Sequence, residues 1–185
     1  EFWILLTDGE EGGLLGAQAF VDGPKPWSDR NPFVINLDAR GTTCAASMFE
    51  TQEENYGYVR SLKEALGKPS FTTSLMVNVY NLLPNKTDYS VFKKENWPGF
   101  NFAIIGSPHR YHTLEDTPVN LSDRSLQNFA DHAYRLLSEL TRWSDVDWNR
   151  ADSEMAAVFF DLFGLYVICY PSYFNPILSV VGWIL

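Results

Sequence analysis

The sequence has few basic residues and few cysteines. Lysine and arginine number 14 against 23 aspartates and glutamates, which gives a net charge of −9 over 185 residues. Proteins that bind nucleic acid need an excess of basic side chains to neutralise phosphates, so we expect no nucleic-acid partner. Cys44 and Cys169 are the only 2 cysteines, and two cannot build a disulfide framework.

Apolar and aromatic residues, in contrast, are abundant. Hydrophobic residues make up 45% of the chain and aromatic residues 15%, which is typical of a globular domain with one sizeable core. The sequence starts with Glu1, and both of its ends lie in apolar runs, whereas domain boundaries are normally polar. We therefore interpret it as a piece of a longer protein, truncated at the N-terminus.

Short apolar runs alternate with helical segments along the chain. The runs at residues 2–6, 33–38 and 99–107 predict buried strands. Helices are predicted at residues 14–21, 55–66, 70–83, within 85–94, and at 122–143. The last is the clearest, because one face carries Leu126, Phe129, Ala133, Leu136, Leu137 and Leu140. The alternation predicts an α/β fold with a mainly parallel mixed sheet flanked by helices.

Polar clusters follow each predicted strand. Asp8, Glu10 and Glu11 come after the first strand, Asp38 closes the second, and residues 111–113 follow the third. Parallel sheets bind ligands just beyond the carboxyl ends of their strands, which is where these clusters lie. Adjacent glutamates suit a metal hydrolase, in which one carboxylate binds the metal and the other takes a proton from water. An aspartate and a histidine would complete a ligand set that zinc accepts.

Each of these residues also has an ordinary explanation. Acidic pairs are usually solvated surface, as we expect for Glu53 and Glu54. Asp38 alone could cap a turn, and His112 alone could be a core histidine. Three such groups at three strand ends are much harder to explain by coincidence.

Five blocks of sequence point to a known family. "LLTDGEEGGLLGA", "NLDARG", "LPNKTDYSVFK", "GFNFAIIG" and "YHTLEDTPVNL" occur in this order, and together they resemble metallopeptidase family 28, the co-catalytic zinc aminopeptidases and carboxypeptidases. The membrane-bound endoplasmic-reticulum and vacuolar branch is the most similar. The resemblance implies a zinc-exopeptidase fold, two zinc ions per complete domain, and hydrolysis of peptide substrates, with aminopeptidase activity as the first expectation.

The resemblance also assigns roles to residues at matching positions. Glu10 would be the general base that activates the attacking water, and Glu11 and His112 would share one zinc ion. Asp38 would bind the other zinc ion. Tyr111 would donate a hydrogen bond to the tetrahedral intermediate, where negative charge develops.

Other positions complete the picture that the resemblance implies. Asp88 matches a position near the substrate pocket, with a structural role, and Asp116 would brace the loop of the ligand histidine. The family has two further ligands, a histidine and a bridging aspartate, upstream of the "DGEE" block, and the printed sequence has no residues there. His109 and His132 are interpreted as surface residues that cannot replace them. We therefore expect this piece alone to bind zinc poorly and not to turn over substrate.

The C-terminal part differs from the rest. We assign residues 1–150 to the C-terminal part of a zinc peptidase domain and residues 151–185 to an apolar tail. Residues 156–170 are fewer than the roughly 20 that span a bilayer, and they could form a buried terminal element, a re-entrant segment or the start of a span. With the run at 176–185, we favour a membrane-embedded continuation and hence membrane association. Asn85 and Asn120 begin N-glycosylation sequons, in keeping with a lumenal (endoplasmic-reticulum or vacuolar) or extracellular domain.

Two other functions stay open on the sequence. Glutaminyl cyclases look similar and carry an acidic pair, but they use one zinc ion and attack by the substrate's own amine; "NLDARG" and the apolar tail favour the peptidase. A catalytically inactive, peptidase-like binding domain is the second, and the intact acidic pair and histidine argue against it. Arg40, Trp97 and Phe100 could line a specificity pocket, although large aromatic residues beside a sheet are more often core.

Overall fold

Three strands form one mixed sheet with the order β1-β3-β2 in the computed structural model, which describes residues 2–25, 27, 31–66, 72–151, 155–163 and 165–184. They are β1 (Val34–Ala39), β2 (Ser47–Thr51) and β3 (Gly99–Ile104). β1 runs parallel to β3, and β2 runs antiparallel to it. The α/β fold with a mixed sheet is confirmed. β2 has no counterpart among the predicted strands, because its buried face includes polar residues that hide the apolar pattern.

The central strand of this sheet buries a polar side chain. Asn101 lies in β3, all of which is buried, and its amide donates to Glu50 Oε2 (3.0 Å) and Thr87 Oγ1 (2.6 Å). The Asn36 amide in turn donates to Asn101 Oδ1 at 2.8 Å. A buried amide is stable when its polar atoms are paired in this way. The network ties all three strands to the helix that begins at Asp88.

Helices cover both faces of the sheet at the positions that the sequence predicts. The capping residues fit these positions: the Thr73 hydroxyl accepts the N–H of Met76 (3.0 Å), and the Ser122 hydroxyl accepts that of Ser125 (3.4 Å). The α-helices up to residue 151 are α1 (Leu15–Asp22), α2 (Tyr56–Leu66), α3 (Ser74–Asn81), α4 (Asp88–Lys94), α5 (Asp123–Leu140) and α6 (Asp145–Ala151). The short α-helix α6 has no counterpart among the predicted helices.

Two apolar clusters hold these layers together. The larger one packs α2 and α5 against Phe100 and Phe102 of β3, and the smaller one packs α1 against α4 around Trp97. Phe100 and Trp97, considered above as candidate pocket residues, are therefore core residues. Their burial agrees with the alternative given above, that large aromatic residues beside a sheet are more often core, because such side chains contribute the most apolar area to a core.

The buried face of α5 is rotated slightly from the predicted one. Phe129, Leu136 and Leu140 are buried as predicted, but Leu126 is 53% exposed and His132 is only 8% exposed. The prediction that His132 is a surface residue is wrong. Its ring packs edge-on against Phe102, and its Nδ1 forms a 2.7 Å hydrogen bond with the Asn128 carbonyl. Buried imidazole is tolerated here because one nitrogen is paired.

The predicted first strand is not observed. Residues 2–6 have no strand structure, and all five side chains are exposed. An apolar run becomes a strand only where a neighbouring strand accepts its backbone hydrogen bonds. Within the described residues, the run at 2–6 pairs with no strand, and the sheet ends at β1 on one side.

The apolar tail forms an antiparallel hairpin and a helix. The hairpin strands are β4 (Ala157–Leu162) and β5 (Tyr166–Pro171), and they are followed by α7 (Asn175–Ile184). Phe159 is buried in the larger core cluster, whereas Phe163 at the hairpin tip is exposed. Of the three forms considered for residues 156–170, the structure shows a terminal element that packs on the core. None of the helices within the described ranges is long and apolar enough to cross a membrane, and the membrane-embedded continuation stays a prediction.

Candidate metal centre and active site

The acidic pair lies in a tight turn before α1. The Glu10 carbonyl accepts the N–H groups of Gly13 (3.0 Å) and Leu14 (2.9 Å), which closes the turn. Gly16 donates its N–H to the Asp8 carbonyl (2.9 Å) and approaches so closely that an added Cβ would lie 2.5 Å from that oxygen. A glycine at this position therefore lets α1 pack directly behind the turn. The turn leaves Glu11 exposed and Glu10 half-buried.

The second predicted element of the site is the carboxyl end of β1. Asp38 accepts the N–H of Ala39 (2.7 Å), and the N–H of Arg40 donates to the Ile104 carbonyl (2.9 Å) at the end of β3. Next along the chain, a Cβ on Gly41 would lie only 2.1 Å from the Gly106 carbonyl oxygen. This close backbone contact keeps the ends of β1 and β3 side by side.

The third element is the loop after β3. His112 has a positive φ of 58°, a left-handed conformation that non-glycine residues seldom adopt. The loop is held by Thr113, whose hydroxyl donates to the Arg110 carbonyl (2.7 Å), and by an Arg110–Glu115 ion pair (3.6 Å). Strain of this kind persists where surrounding contacts fix the backbone, and it is common at functional sites.

These three elements converge. His112 Nε2 lies 2.5 Å from Glu11 Oε1, although 101 positions separate the two residues. The Tyr111 ring stacks on the His112 ring, with centroids 3.7 Å apart and planes at 21°. The Arg40 guanidinium in turn lies 5.8 Å from the centroid of the Tyr111 ring. The structure thus joins the predicted base-and-ligand turn, the predicted ligand histidine and the predicted tyrosine in one cluster.

Burial and mutual repulsion raise several pKa values in this cluster. Burial raises the pKa of Glu10 above its usual range, the carboxylates of Asp38 and Glu11 raise it further, and His112 opposes the rise. Burial also raises the pKa of Asp38, with the Ala39 N–H acting in the opposite direction. For Tyr111, burial and then Glu11 raise the pKa. Crowded carboxylates of this kind repel one another, and a bound cation would relieve that repulsion.

Comparison with known proteins decides the family. The family model described as peptidase family M28 matches residues 2–137. The chain belongs to peptidase family M28. Among curated M28 relatives, endoplasmic reticulum metallopeptidase 1 of Homo sapiens is 30% identical over 182 residues, which are 95% of this chain and 20% of the relative. The predicted family and its endoplasmic-reticulum and vacuolar branch are confirmed.

Other relatives agree. Endoplasmic reticulum metallopeptidase 1 of Mus musculus is 28% identical over 179 residues, covering 95% of this chain and 20% of the relative. Vacuolar membrane protease of Eremothecium gossypii is 28% identical over 169 residues, covering 90% of this chain and 16% of the relative. The chain thus spans about a fifth of the length of these relatives. No solved structure gives a significant match.

Two buried oxygen atoms without a hydrogen-bond partner among the described residues direct attention to Asp88 and to a residue that the sequence analysis does not single out, Tyr80. Asp88 begins α4 and accepts a hydrogen bond from the Thr7 hydroxyl, while its Oδ1 is buried without a partner. The Tyr80 hydroxyl, on α3, is also buried without a hydrogen-bond partner. Burial raises the pKa of Tyr80 well above its usual range, Glu50 and Asp38 add to the rise, and the nearby Thr87 hydroxyl opposes it. Tyr80 lies in the apolar run "SLMVNVYN", so no local pattern distinguishes it from a core residue.

Within the described part of the chain, the remaining predicted residues form no hydrogen bond with the Glu11–His112 pair of the candidate site. Asp116 donates its backbone N–H to the Thr113 carbonyl (3.1 Å), and its carboxylate is exposed. This backbone hydrogen bond is therefore the contact that supports the predicted bracing of the histidine loop by Asp116. Asn85 is exposed, whereas the Asn120 amide donates to the Glu115 carbonyl at 2.7 Å. His109 is exposed, as predicted.

The donor chemistry of this site fits zinc. M28 peptidases are zinc-dependent, and Glu11 and His112 offer the carboxylate oxygen and imidazole nitrogen that zinc prefers. The buried, unpartnered Oδ1 of Asp88 and the crowded carboxylates also suit a site that receives a cation. Within the described ranges, however, no three His, Cys, Asp or Glu side chains are close enough together to hold a metal ion. Further ligands are needed for a complete metal centre.

Proposed function

We propose that the complete protein that carries this chain is a zinc-dependent exopeptidase, an aminopeptidase that hydrolyses peptide bonds next to a free N-terminus. The observation that supports it most strongly is the 2.5 Å contact between Glu11 and His112, with Glu10 beside it in the same turn. A carboxylate and an imidazole that meet in this way, next to a second half-buried carboxylate, form the ligand-plus-base arrangement of a metal hydrolase.

Each side chain has a defined task in this reaction. Glu10 accepts a proton from the attacking water and passes it to the amine of the leaving residue. Tyr111 donates a hydrogen bond to the oxygen on which negative charge develops. Glu11, His112 and Asp38 would hold zinc, which when bound lowers the pKa of the attacking water and polarises the substrate carbonyl.

Substitution of the base tests this function. In the complete protein loaded with zinc, Glu10→Gln keeps the shape of the side chain and removes its ability to accept a proton. We expect kcat on peptide substrates to fall by about 10²–10⁴-fold, while bound zinc, measured by metal analysis, stays unchanged. Glu53→Gln is the matched control, because Glu53 is an exposed acid that comes soon after the last residue of β2, at the end of the sheet opposite to the candidate site.

The outcomes separate the alternatives. Pyroglutamate formation from N-terminal glutamine, without peptide hydrolysis, would favour the cyclase. Zinc binding without any turnover would favour an inactive binding domain. Equal turnover by wild type and Glu10→Gln would overturn the assignment of the base.

We further propose that the site faces the lumen of the endoplasmic reticulum or vacuole and that the protein associates with a membrane. The printed names of the relatives, an endoplasmic reticulum metallopeptidase and a vacuolar membrane protease, support these locations. Asn85 is the better candidate for glycosylation, because its side chain is exposed and that of Asn120 is engaged in the loop. A mobility shift on deglycosylation that Asn85→Gln abolishes and Asn120→Gln retains would support the lumenal location and this choice of site.

A further inference from the structure

Arg40 is placed at the rim of an acidic site without an ion-pair partner. Its guanidinium lies over the Tyr111 ring at 5.8 Å, within the range of a cation–π contact. None of the ion pairs among the described residues includes it. The side chain is exposed, so its donors are available to a ligand. A guanidinium that lies against Tyr111 and forms none of the ion pairs among the described residues marks a place where a negatively charged group can approach.

The base of this side chain is held rigidly. The N–H of Arg40 donates to the Ile104 carbonyl at 2.9 Å, and Gly41 lies against the Gly106 backbone. The Tyr111 ring lies under the other end of the side chain. A guanidinium that rests on a ring loses less conformational entropy when it binds a carboxylate than one without such a contact.

The distances define where a bound carboxylate would lie. The two ring contacts place the guanidinium within about 10 Å of the His112 ring. One peptide residue spans about 3.5 Å, and an ion-pair contact adds up to about 4 Å. Together these two lengths cover about 7.5 Å of a separation that is at most about 10 Å. A carboxylate on the residue next to the scissile bond therefore comes within range of Arg40 when its own side chain or a small movement of the arginine supplies the rest. The free amine of the substrate's first residue is positively charged and would be repelled, so Arg40 faces the leaving residue.

We propose that Arg40 determines specificity by binding a carboxylate on the leaving residue of the peptide substrate. The proposal rests on the proposed peptidase function and adds the substrate class to it. The carboxylate has two sources, the C-terminal α-carboxylate of a dipeptide and an acidic side chain. The planar guanidinium can donate two parallel hydrogen bonds to either carboxylate.

Four substrates distinguish these sources in the complete, zinc-loaded protein. Leu-Leu is compared with Leu-Leu-amide, which lacks the α-carboxylate, and Leu-Glu-amide is compared with Leu-Gln-amide, which lacks the acidic side chain. We expect wild type to show a higher kcat/KM for at least one carboxylate substrate than for its neutral partner, by about tenfold or more. Arg40→Gln should abolish this ratio and Arg40→Lys should retain part of it, since lysine keeps the charge without the fork. Arg135→Gln, at an exposed arginine of α5, should leave the ratio as in wild type.

The outcomes keep this proposal separate from the peptidase function. Cleavage of all four substrates without a preference for carboxylates would overturn the role of Arg40 and leave the peptidase intact. An equal loss on all four substrates in Arg40→Gln would also overturn it and would show that Arg40 only supports Tyr111. No turnover of any substrate by the zinc-loaded wild type would overturn the peptidase function, and this proposal with it.

Discussion

Backbone conformation places the reactive side chains as much as residue type does. His112 reaches Glu11 from a left-handed conformation with a φ of 58°, which costs of order 1–3 kcal/mol in a non-glycine residue. Asp38 points to the site from a position opposite Ala103 at the end of β1. The residue types and their positions after strands are visible in the sequence. The left-handed turn at His112 is not, because no neighbouring glycine or asparagine pattern indicates it.

Two tyrosines whose hydroxyl groups are buried provide a test at the level of a single hydroxyl. The Tyr80 hydroxyl makes no hydrogen bond of normal geometry with any described residue, although the Thr87 hydroxyl is near enough to lower its pKa, whereas the Tyr89 hydroxyl donates to the Gly99 carbonyl at 3.0 Å. Burial of an unpaired hydroxyl costs free energy, so Tyr80→Phe should raise the free energy of unfolding by about 1 kcal/mol. Tyr89→Phe should lower it by about 1 kcal/mol, because it leaves a buried carbonyl with one bond fewer. Denaturant unfolding of both variants measures the difference.

Opposite signs for the two tyrosines are the decisive result. Destabilisation of similar size in both variants would show that the Tyr80 hydroxyl is paired in solution, for example by water. A neutral Tyr80→Phe with lost turnover would instead place this hydroxyl among the groups that contact substrate.

At the level of elements, the site depends on how closely β1 and β3 meet beyond their last paired residues. The antiparallel bridge between Thr43 and Gly106 extends that contact past the sheet. Asp38 and Arg40 lie on one side of it, and the loop that carries His112 begins on the other. Short strands whose carboxyl ends lie together are what the sequence predicts. The antiparallel β2 and the β4–β5 hairpin are not predicted. Buried polar residues hide the apolar pattern of β2, and an unbroken apolar run hides the boundary between β4 and β5.

Gly41→Ala tests the importance of that close approach. The new Cβ would lie 2.1 Å from the Gly106 carbonyl oxygen, which is a backbone atom and cannot rotate away. We expect the free energy of unfolding to fall by about 1–3 kcal/mol. We expect kcat/KM to fall by more than this loss of stability alone would cause, because the ends of β1 and β3 must separate. Thermal unfolding and peptidase kinetics on the complete protein provide both measurements.

Gly23→Ala is the matched control for this change. Its Cβ would lie 3.3 Å from the Ala19 carbonyl oxygen at the end of α1, a contact that a small shift relieves. We expect a much smaller effect on stability and none on turnover. If the two alanine variants behaved alike, the backbone contact at Gly41 would not be what aligns the site.

For the whole molecule, the family could be inferred from the order of five sequence blocks, and the roles of the residues at matching positions stay predictions. The meeting of Glu11 and His112 across 101 positions is a property of the folded chain. The exposed run at residues 2–6 shows the limit of local patterns, since apolar composition predicts a strand only if a partner strand is present. His132 shows the same limit on a helix, because its polar type hides a buried position.

His132 also makes the stability of the whole molecule depend on pH. Burial lowers the pKa of its imidazole, and Arg135 lowers it further, while the Asn128 carbonyl and Asp131 oppose the change. In the unfolded chain the pKa of histidine is about 6.5, so the unfolded state takes up a proton at a higher pH than the folded state. Stability is therefore expected to decrease as the pH falls below about 6.5 and to stop decreasing below the folded-state pKa.

Unfolding of wild type, His132→Phe and His109→Gln at several pH values tests this dependence. Phenylalanine keeps an aromatic ring against Phe102 and removes the titrating group. The free energy of unfolding should therefore fall less for His132→Phe than for wild type as the pH falls from 7 to 5. His109→Gln is the control, because His109 is an exposed histidine outside the core, and its curve should follow that of wild type. Parallel curves for wild type and His132→Phe would mean that the imidazole is already accessible to protons in the folded protein, and the pH dependence would then have to come from the carboxylates alone.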